Sequence, residues 1–158
     1  MTTQNKLLVS ACLLGHPVRY DGKSKPLAEL DWLLELQQQN RLFVICPESE
    51  GGLPTPRDKA EQKGERVITI SGEDVTTEFK QGASLALQMC QSHNIGYALL
   101  KANSPSCGNQ QIYNGEFSGL LVEGAGVTAG LLMENDISVF SELQLEQLKA
   151  FFADVVCN

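Results

Sequence analysis

Three short apolar runs constrain the fold more than any other feature of the sequence. They read KLLVSA at 6–11, RLFVIC at 41–46 and GYALLKA at 96–102, and stretches with helical spacing separate them. Short apolar runs bounded by turn residues are typical of strands that are buried on both faces. Strands that alternate with helices form parallel sheets with right-handed crossovers. The sequence therefore predicts an α/β fold.

The rest of the chain follows the same plan. ISVF at 137–140 predicts a last strand, and the Asn-Gly signal within 112–124 predicts a β-hairpin. RVITISG at 66–72 is typical of an edge strand or a hairpin arm. Apolar spacing predicts helices over 27–39, 73–94, 125–135 and 141–156, the last with Ser141 as a candidate N-cap. We expect a single domain over 1–158: a mainly parallel, Rossmann-like sheet flanked by helices, with a small β-hairpin insertion.

The positions of the cysteines predict where a site would lie. Cys12, Cys46 and Cys107 each fall at or just after the carboxyl end of a predicted strand, whereas Cys90 and Cys157 do not. In parallel sheets the ligand crevice lies at the carboxyl ends of the strands. A single cysteine there is most simply a small buried side chain, but three at three strand ends favour a metal or cluster site. Cys90 and Cys157 are expected to be structural.

Three thiolates do not complete the coordination of a structural zinc ion or of an all-cysteine 4Fe-4S cluster, both of which take four protein ligands. The sequence offers His16 and Glu48 as a fourth ligand. His16 precedes a proline in a turn, where a solvated side chain is the simpler expectation, and His93 is expected to interact with a helix C-terminus. Without a fourth ligand, one metal position stays open for chemistry.

Polar residues close to these cysteines are candidates for catalysis and for substrate binding. Glu48 follows Cys46 by two positions and is a candidate general base, with a surface glutamate as the alternative. Further candidates in KANSPSCG are Lys101, Asn103, Ser104 and Ser106, whose hydroxyl groups also suit turn capping. Glycine-rich segment 47–66 is long for a loop in a compact domain and is expected to form part of the site.

Charge and hydropathy narrow the class of partner. The formal net charge is -7, and no run of lysine or arginine is present that would follow a phosphate backbone. No apolar run approaches the roughly 18 residues of a membrane span, and the N-terminus does not resemble a signal or transit peptide. We expect a cytoplasmic protein with a small-molecule partner, without a nucleic-acid polymer or a membrane.

Two other motifs in the sequence fit less well. Gly22-Lys23-Ser24 matches the end of a P-loop, but the glycine that this motif requires five positions earlier is replaced by Pro17. Glu48, Lys101 and Cys107 are the residue types used by carbon-nitrogen hydrolases with a cysteine nucleophile. That hypothesis leaves the other two strand-end cysteines without a role.

Four stretches, taken in order, resemble a known family: VSACLLGHPVRYDGKSK at 9–25, CPESEGGLPTPR at 46–57, KANSPSCG at 101–108 and GVTAGLLMENDISVFSE at 126–142. The family, long catalogued as a domain of unknown function, contains the 2-thiouracil desulfurases. The resemblance implies a 4Fe-4S cluster held by Cys12, Cys46 and Cys107, with one iron that lacks a protein ligand. It also implies reaction roles for Glu48 and for Ser104, with Ser106 as the alternative.

The activity implied by the resemblance is removal of sulfur from a thiolated pyrimidine such as 2-thiouracil. Hydrolysis would give uracil and hydrogen sulfide without net electron transfer, with Glu48 as the base that activates water. Many relatives have a cysteine where this chain has Val18, and we interpret that cysteine as dispensable. The alternatives are a non-catalytic metal or iron-sulfur carrier and the cysteine hydrolase; the protein is expected to be a monomer or a small homo-oligomer.

Overall fold

The computed structural model describes residues 4–16, 19–22 and 30–153, and the structural statements below concern these residues. In chain order the elements are β1 (Leu7–Ser10), a 3-10 turn (Ala11–Leu14), α1 (Leu30–Gln38), β2 (Leu42–Ile45), α2 (Pro47–Glu50), β3 (Ala60–Lys63), β4 (Arg66–Thr69), α3 (Thr76–His93), β5 (Tyr97–Leu100), β6 (Gln111–Tyr113), β7 (Leu121–Glu123), α4 (Val127–Glu134), β8 (Ser138–Ser141), a second 3-10 turn (Glu142–Gln144) and α5 (Leu145–Ala153).

A four-stranded parallel sheet in the order β2-β1-β5-β8 forms the centre of the fold. The chain passes from β1 to β2 on one side and later returns to β5 on the other side of β1. The strand order therefore reverses between β1 and β5, which is where α/β sheets place their ligand crevice. The predicted α/β fold with a mainly parallel sheet is confirmed.

Helices cover both faces of this sheet, as the apolar strands require. Leu8 and Leu100 pack in one cluster with Ala86 of α3 and Leu132 of α4. Leu7, Val9 and Leu99 point to the other face and pack with Leu33 of α1 and Leu148 of α5. Because successive strand residues alternate between faces, one short apolar strand contributes to both cores.

Two antiparallel hairpins, β3-β4 and β6-β7, lie outside the parallel sheet. The first corrects an expectation: segment 47–66 is not one long loop, because it contains α2 and β3. The sequence of β3, AEQK, lacks an apolar pattern, and its strand form depends on pairing with RVIT of β4. The predicted hairpin arm at 66–72 and the predicted hairpin within 112–124 are confirmed.

Helix ends differ from the sequence expectations by a few residues. Helix α3 spans Thr76–His93, and α4 spans Val127–Glu134. Ser141 caps the second 3-10 turn, since its side chain accepts a hydrogen bond from the Leu143 N–H, and α5 follows directly. Predicted helical residues 27–29 and 154–156 lie outside the described residues. None of the helices in the described part is long and apolar enough to cross a membrane.

Candidate active site at the carboxyl ends of the strands

A cavity of about 420 Å³ lies at the carboxyl ends of β1, β2 and β5. The first residues beyond these three strands line it, as the position of the strand-order reversal predicts. It brings together seven residues that the sequence nominated for the site: Cys12, Cys46, Glu48, Lys101, Asn103, Ser104 and Cys107.

The three cysteines approach the cavity from three separate segments. Cys12 lies in the 3-10 turn after β1, Cys46 is the N-cap residue of α2, and Cys107 lies in the loop after β5. Burial, with a smaller contribution from the neighbouring Cys46, raises the pKa of Cys12 to about 11. Burial also raises the pKa of Cys107 to about 12, with added contributions from Glu48, Cys12 and Cys46. These groups therefore lie within electrostatic reach of one another.

The chemistry of this donor set fits an iron-sulfur cluster, which cysteine thiolates bind. Among the described residues, no group of three or more histidine, cysteine, aspartate or glutamate side chains is placed so that it could hold a metal ion. A zinc ion needs every sulfur at about 2.3 Å from one centre. In a cubane cluster each thiolate binds a different iron, so the sulfurs surround a shared space. Because their pKa values are raised, Cys12 and Cys107 would need bound positive charge to act as thiolate ligands.

Glu48 is held by an arginine that sequence reasoning did not pair with it. Arg57 Nε donates to Glu48 Oε2 at 2.9 Å, and Arg57 Nη2 forms an ion pair with the same oxygen. Arg57 also donates to the Pro54 carbonyl oxygen at 3.1 Å and to Thr55 Oγ1 at 3.0 Å. The two side chains are mostly buried, and the guanidinium supplies the charge partner that a buried carboxylate requires. The interaction fixes the carboxylate next to the cavity.

Close contact between the backbones of α2 and α3 positions Cys46 and Glu48. A Cβ atom on Gly82, within α3, would lie 1.9 Å from the Pro47 carbonyl oxygen, and one on Gly51 would lie 2.0 Å from the Glu78 carbonyl oxygen. Only glycine permits such an approach. Sequence reasoning overlooked Gly82, although a glycine inside a helix costs about 1 kcal/mol relative to alanine and so suggests a packing role.

The N-terminus of α4 anchors the loop that carries Cys107. The N–H groups of Gly126, Val127 and Thr128 donate to the carbonyl oxygens of Gly108, Pro105 and Ser106 at 2.7, 3.0 and 2.8 Å respectively. These N–H groups have no partner inside their own helix, so the loop caps it. The stretches KANSPSCG and GVTAG are thus two halves of one structural unit.

The two serines of this loop differ in position. Ser104 lines the cavity, and its Oγ accepts the N–H groups of Ser106 and Cys107, each at 3.1 Å. Ser106 is only 1% exposed, and its hydroxyl bonds to Thr128 Oγ1 at 2.8 Å. Ser106 is not among the described residues that line the cavity. The hydroxyl of Ser106 faces α4 in this structure, and a contact between Ser106 and the substrate stays a prediction.

Lys101 is paired with an acid far along the chain. Its Nζ lies 2.8 Å from Glu142 Oε2, and Glu142 Oε1 accepts the Ala102 N–H at 2.6 Å. Lys101 Nζ also donates to the Ala102 carbonyl oxygen at 3.1 Å. Asn103, the next candidate, has a positive φ of 65° and forms an isolated bridge with Ile112. The sequence nominated Lys101 and Asn103 for the site but did not predict the ion pair between Lys101 and Glu142.

Other residues lie outside the cavity or at its edge. His16 is exposed and is absent from the described residues that line the cavity, so the expectation of a solvated side chain is confirmed. Arg19, which was not among the candidates, also lines the cavity, and its Nη1 lies 3.9 Å from Asp21 Oδ2. Cys90 is buried in the core with α3, as expected for a structural cysteine. Val18 and Cys157 lie outside the described residues.

The cavity has two walls of different origin. The strand-end wall comprises Cys12, Cys46, Glu48, Lys101, Ser104 and Cys107. The hairpin wall comprises Lys59, Ala60, Thr69 and Tyr113, which come from β3, β4, β6 and the residue before β3. Lys59 Nζ lies 5.7 Å from the centroid of the Tyr113 ring. Lys59 and Ala60 belong to segment 47–66, which was expected to form part of the site, and both line the cavity. Sequence reasoning overlooked Thr69 and Tyr113, because alternation within a short strand does not reveal which face meets a cavity.

Comparisons with known proteins agree with this architecture. A family model described as 2-thiouracil desulfurase matches residues 7–144. A curated relative, the uncharacterized protein YbbK of Bacillus subtilis (strain 168), is 39% identical over an alignment of 152 positions that covers 90% of this chain and 99% of the relative.

A solved structure is closer in sequence. It is described as a 4Fe-4S-dependent thiouracil desulfidase, TudS, and is 52% identical to this chain with a TM-score of 0.92. The match covers 95% of this chain and 99% of that one. Because the family model spans most of the sequence, the chain belongs to the 2-thiouracil desulfurase family.

Proposed function

We propose that this protein is a 4Fe-4S-dependent desulfurase that acts on a thiolated pyrimidine such as 2-thiouracil. One water is consumed, the C=S group becomes C=O, and hydrogen sulfide leaves, so no net electron transfer is needed. The observation that carries the proposal is the meeting of Cys12, Cys46 and Cys107 with Glu48 around one cavity. The family match and the desulfidase named among the solved structures support it.

Cys12, Cys46 and Cys107 are the residues that would hold the cluster. When bound through three thiolates, such a cluster supplies an iron with an open position, a Lewis acid with affinity for sulfur. The burial of Cys12 and Cys107 suits this role, because a dry site strengthens the interaction between thiolate and cation. It also limits access of bulk water to the cluster.

Glu48 is the proposed general base. Its carboxylate lines the cavity near Cys107 and is oriented by Arg57, so it can accept a proton from a water molecule at the substrate carbon. Positioned bases contribute typically about 10²- to 10⁴-fold in rate. Arg57 thereby acts as a positioning residue through Glu48.

Ser104 is proposed to donate a proton or a hydrogen bond to the substrate. Its oxygen already accepts two backbone N–H groups, which leaves the hydroxyl proton to point elsewhere. Lys101 and Asn103 are the proposed polar contacts for the ring, because both line the same cavity. The ion pair with Glu142 offsets the positive charge of Lys101. The site therefore favours a neutral ring over an anionic ring.

The proposed partner is a small thiolated base, with no nucleic-acid polymer and no membrane. A cavity of about 420 Å³ is within the usual range for small-molecule sites. The net charge of -7 opposes binding to a phosphate backbone. A cytoplasmic location and a monomer or small homo-oligomer complete the proposal, and sedimentation of the purified protein tests the oligomeric state.

The cysteine hydrolase is the weaker alternative. A nucleophilic cysteine needs an accessible thiolate with a lowered pKa. Burial and the nearby Glu48 instead raise the pKa of Cys107 to about 12. A non-catalytic carrier would need the three cysteines to hold its cluster, but it would not need the carboxylate of Glu48.

A turnover assay with paired glutamate variants tests the proposal. Oxygen-free, iron-loaded protein is given 2-thiouracil, and uracil and sulfide are measured together. Glu48→Gln should keep its iron and lose about 10²- to 10⁴-fold in turnover. Glu50→Gln is the matched control, since Glu50 lies exposed on the same short helix. Wild-type turnover by Glu48→Gln would remove the base assignment, and a loaded wild-type protein that releases no sulfide would favour the carrier.

A further inference from the structure

Ser10 has an unusual hydrogen-bonding arrangement for a serine at the start of a helical turn. It ends β1 and occupies the N-cap position of the following 3-10 turn, where a serine normally accepts a backbone N–H from within the turn. Within the described chain its side chain makes no such cap bond. The side chain is only 3% exposed and lines the cavity, so its hydroxyl needs other partners.

Those partners connect two segments of the site. The Lys101 N–H donates to Ser10 Oγ at 3.1 Å, and Ser10 Oγ lies 3.7 Å from Cys107 Sγ. A backbone N–H can only donate, so Ser10 Oγ is the acceptor in the first bond. Its single proton is then available for the sulfur, which fixes the direction of the second bond as O–H to S.

We propose that Ser10 is a positioning residue for Cys107, and that its hydroxyl donates a hydrogen bond to the sulfur by which Cys107 holds the cluster. This inference rests on the proposed function, because it takes Cys107 as a cluster ligand. A hydrogen bond to a ligand sulfur withdraws electron density and stabilises the more negative, reduced state. Ser10 should therefore raise the reduction potential of the bound cluster.

The location of Ser10 explains why this contact suits the fold. Ser10 ends the central strand β1, and Lys101 directly follows β5, so the hydroxyl lies at the point where the strand order reverses. The same side chain is thus joined to the segment that carries Cys12, to the end of β5 and to the Cys107 loop. Loss of the hydroxyl would remove the hydrogen bond to the Cys107 sulfur and leave all three cysteines in place.

Ser106 provides a matched control. It is also a buried serine beside Cys107, but its hydroxyl pairs with Thr128 Oγ1. Ser10→Ala and Ser106→Ala therefore each remove one buried hydroxyl, and only the first removes the contact with sulfur. Ser10→Thr keeps the hydroxyl and is the rescue variant.

The experiment is a redox titration of the iron-loaded proteins, after iron and sulfide per chain have been measured. Ser10→Ala is expected to keep its cluster and to have a more negative potential than wild type, whereas Ser106→Ala matches wild type and Ser10→Thr recovers most of the shift. Resonance Raman spectra should show altered Fe–S stretches only in Ser10→Ala.

An unchanged potential in fully loaded Ser10→Ala would overturn the inference, as would equal shifts in Ser10→Ala and Ser106→Ala. Loss of cluster from Ser10→Ala alone, with recovery in Ser10→Thr, would support the same contact as one that retains the cluster. A wild-type protein that takes up no iron and sulfide would instead overturn the proposed function itself, together with this inference.

Discussion

The strand-end wall and the hairpin wall enclose the same cavity but are built by different means. The strand-end wall follows from β1, β2 and β5, whose register is set by the buried parallel sheet. The hairpin wall depends on two small antiparallel pairs outside that sheet. We interpret the first wall as the part that fixes the chemistry and the second as the part that adapts to the substrate. Changes in the first should affect the cluster and the rate, and changes in the second should affect affinity.

The largest expected effect is loss of a ligand from the strand-end wall. Cys46→Ser should lower bound iron and sulfide to a small fraction of the wild-type amount and abolish sulfide release, because two thiolates remain to hold the cluster. Iron and acid-labile sulfide analysis measures this. Cys90→Ser is the control, since Cys90 packs in the core away from the cavity. Equal iron in both variants would contradict the division between site and core cysteines.

The next effect concerns the backbone that supports the strand-end wall. Gly82→Ala gains about 1 kcal/mol in helix propensity, but its Cβ would lie 1.9 Å from the Pro47 carbonyl oxygen. Such overpacking costs about 1–3 kcal/mol, so a net loss of stability is expected. A shift of α2 also displaces Glu48, and a displacement of about 1 Å can cost about 100-fold in rate. Urea unfolding and turnover measure the two effects.

Gly130 tests whether this effect is specific to the contact. A Cβ on Gly130, within α4, would have Ala125 Cβ as its nearest neighbour at 3.7 Å, an ordinary contact. Gly130→Ala should therefore keep activity and gain up to about 1 kcal/mol in stability. A stable, active Gly82→Ala protein would show that close contact between α2 and α3 is not required.

A smaller effect is expected in the hairpin wall. Tyr113→Leu keeps an apolar side chain but loses the aromatic ring that faces Lys59. Loss of one ring contact is worth about 1 kcal/mol, so KM for 2-thiouracil should rise about fivefold with little change in kcat or iron content. Val122→Ala, an exposed position on the same hairpin, is the control. A fall in kcat with unchanged KM would contradict the assignment of this wall to affinity.

The smallest effect on activity is expected for Cys90, which belongs to neither wall. Burial raises its pKa from 9.0 to about 11. Between these two pH values the folded state keeps the thiol proton and the unfolded state loses it. The free energy of unfolding therefore includes up to about 3 kcal/mol that is present below pH 9 and is lost as the pH rises to about 11. In Cys90→Ala the free energy of unfolding should fall less steeply over this interval, as urea unfolding at several pH values would measure. Identical slopes would contradict the burial assigned to this thiol.

The sequence predicted the strand-end wall well because strand ends can be read from short apolar runs. Cys12 and Cys46 lie at the ends of such runs and Cys107 lies in the loop after one, and their common position follows from parallel topology. Glu48 was found through its distance from Cys46 along the chain. These residues needed no information about long-range pairing beyond the fold class.

Other features depend on contacts that the sequence does not encode locally. The pairing of Lys101 with Glu142 spans 41 positions, and the pairing of Glu48 with Arg57 depends on the path of the segment between α2 and β3. The two serines that flank Pro105 look alike in sequence, and only the structure shows that the hydroxyl of Ser106 pairs with Thr128 of α4. The packing role of Gly82 could have been predicted, because a glycine within an otherwise regular helix suggests close contact with a neighbouring element.

The most direct test of the central claim is the amount of iron, acid-labile sulfide and zinc per chain in protein purified without oxygen. A cluster held by Cys12, Cys46 and Cys107 predicts about four irons and four sulfides with little zinc, and loss of this content in Cys46→Ser but not in Cys90→Ser. Zinc alone, or no iron and sulfide after reconstitution, would contradict the account.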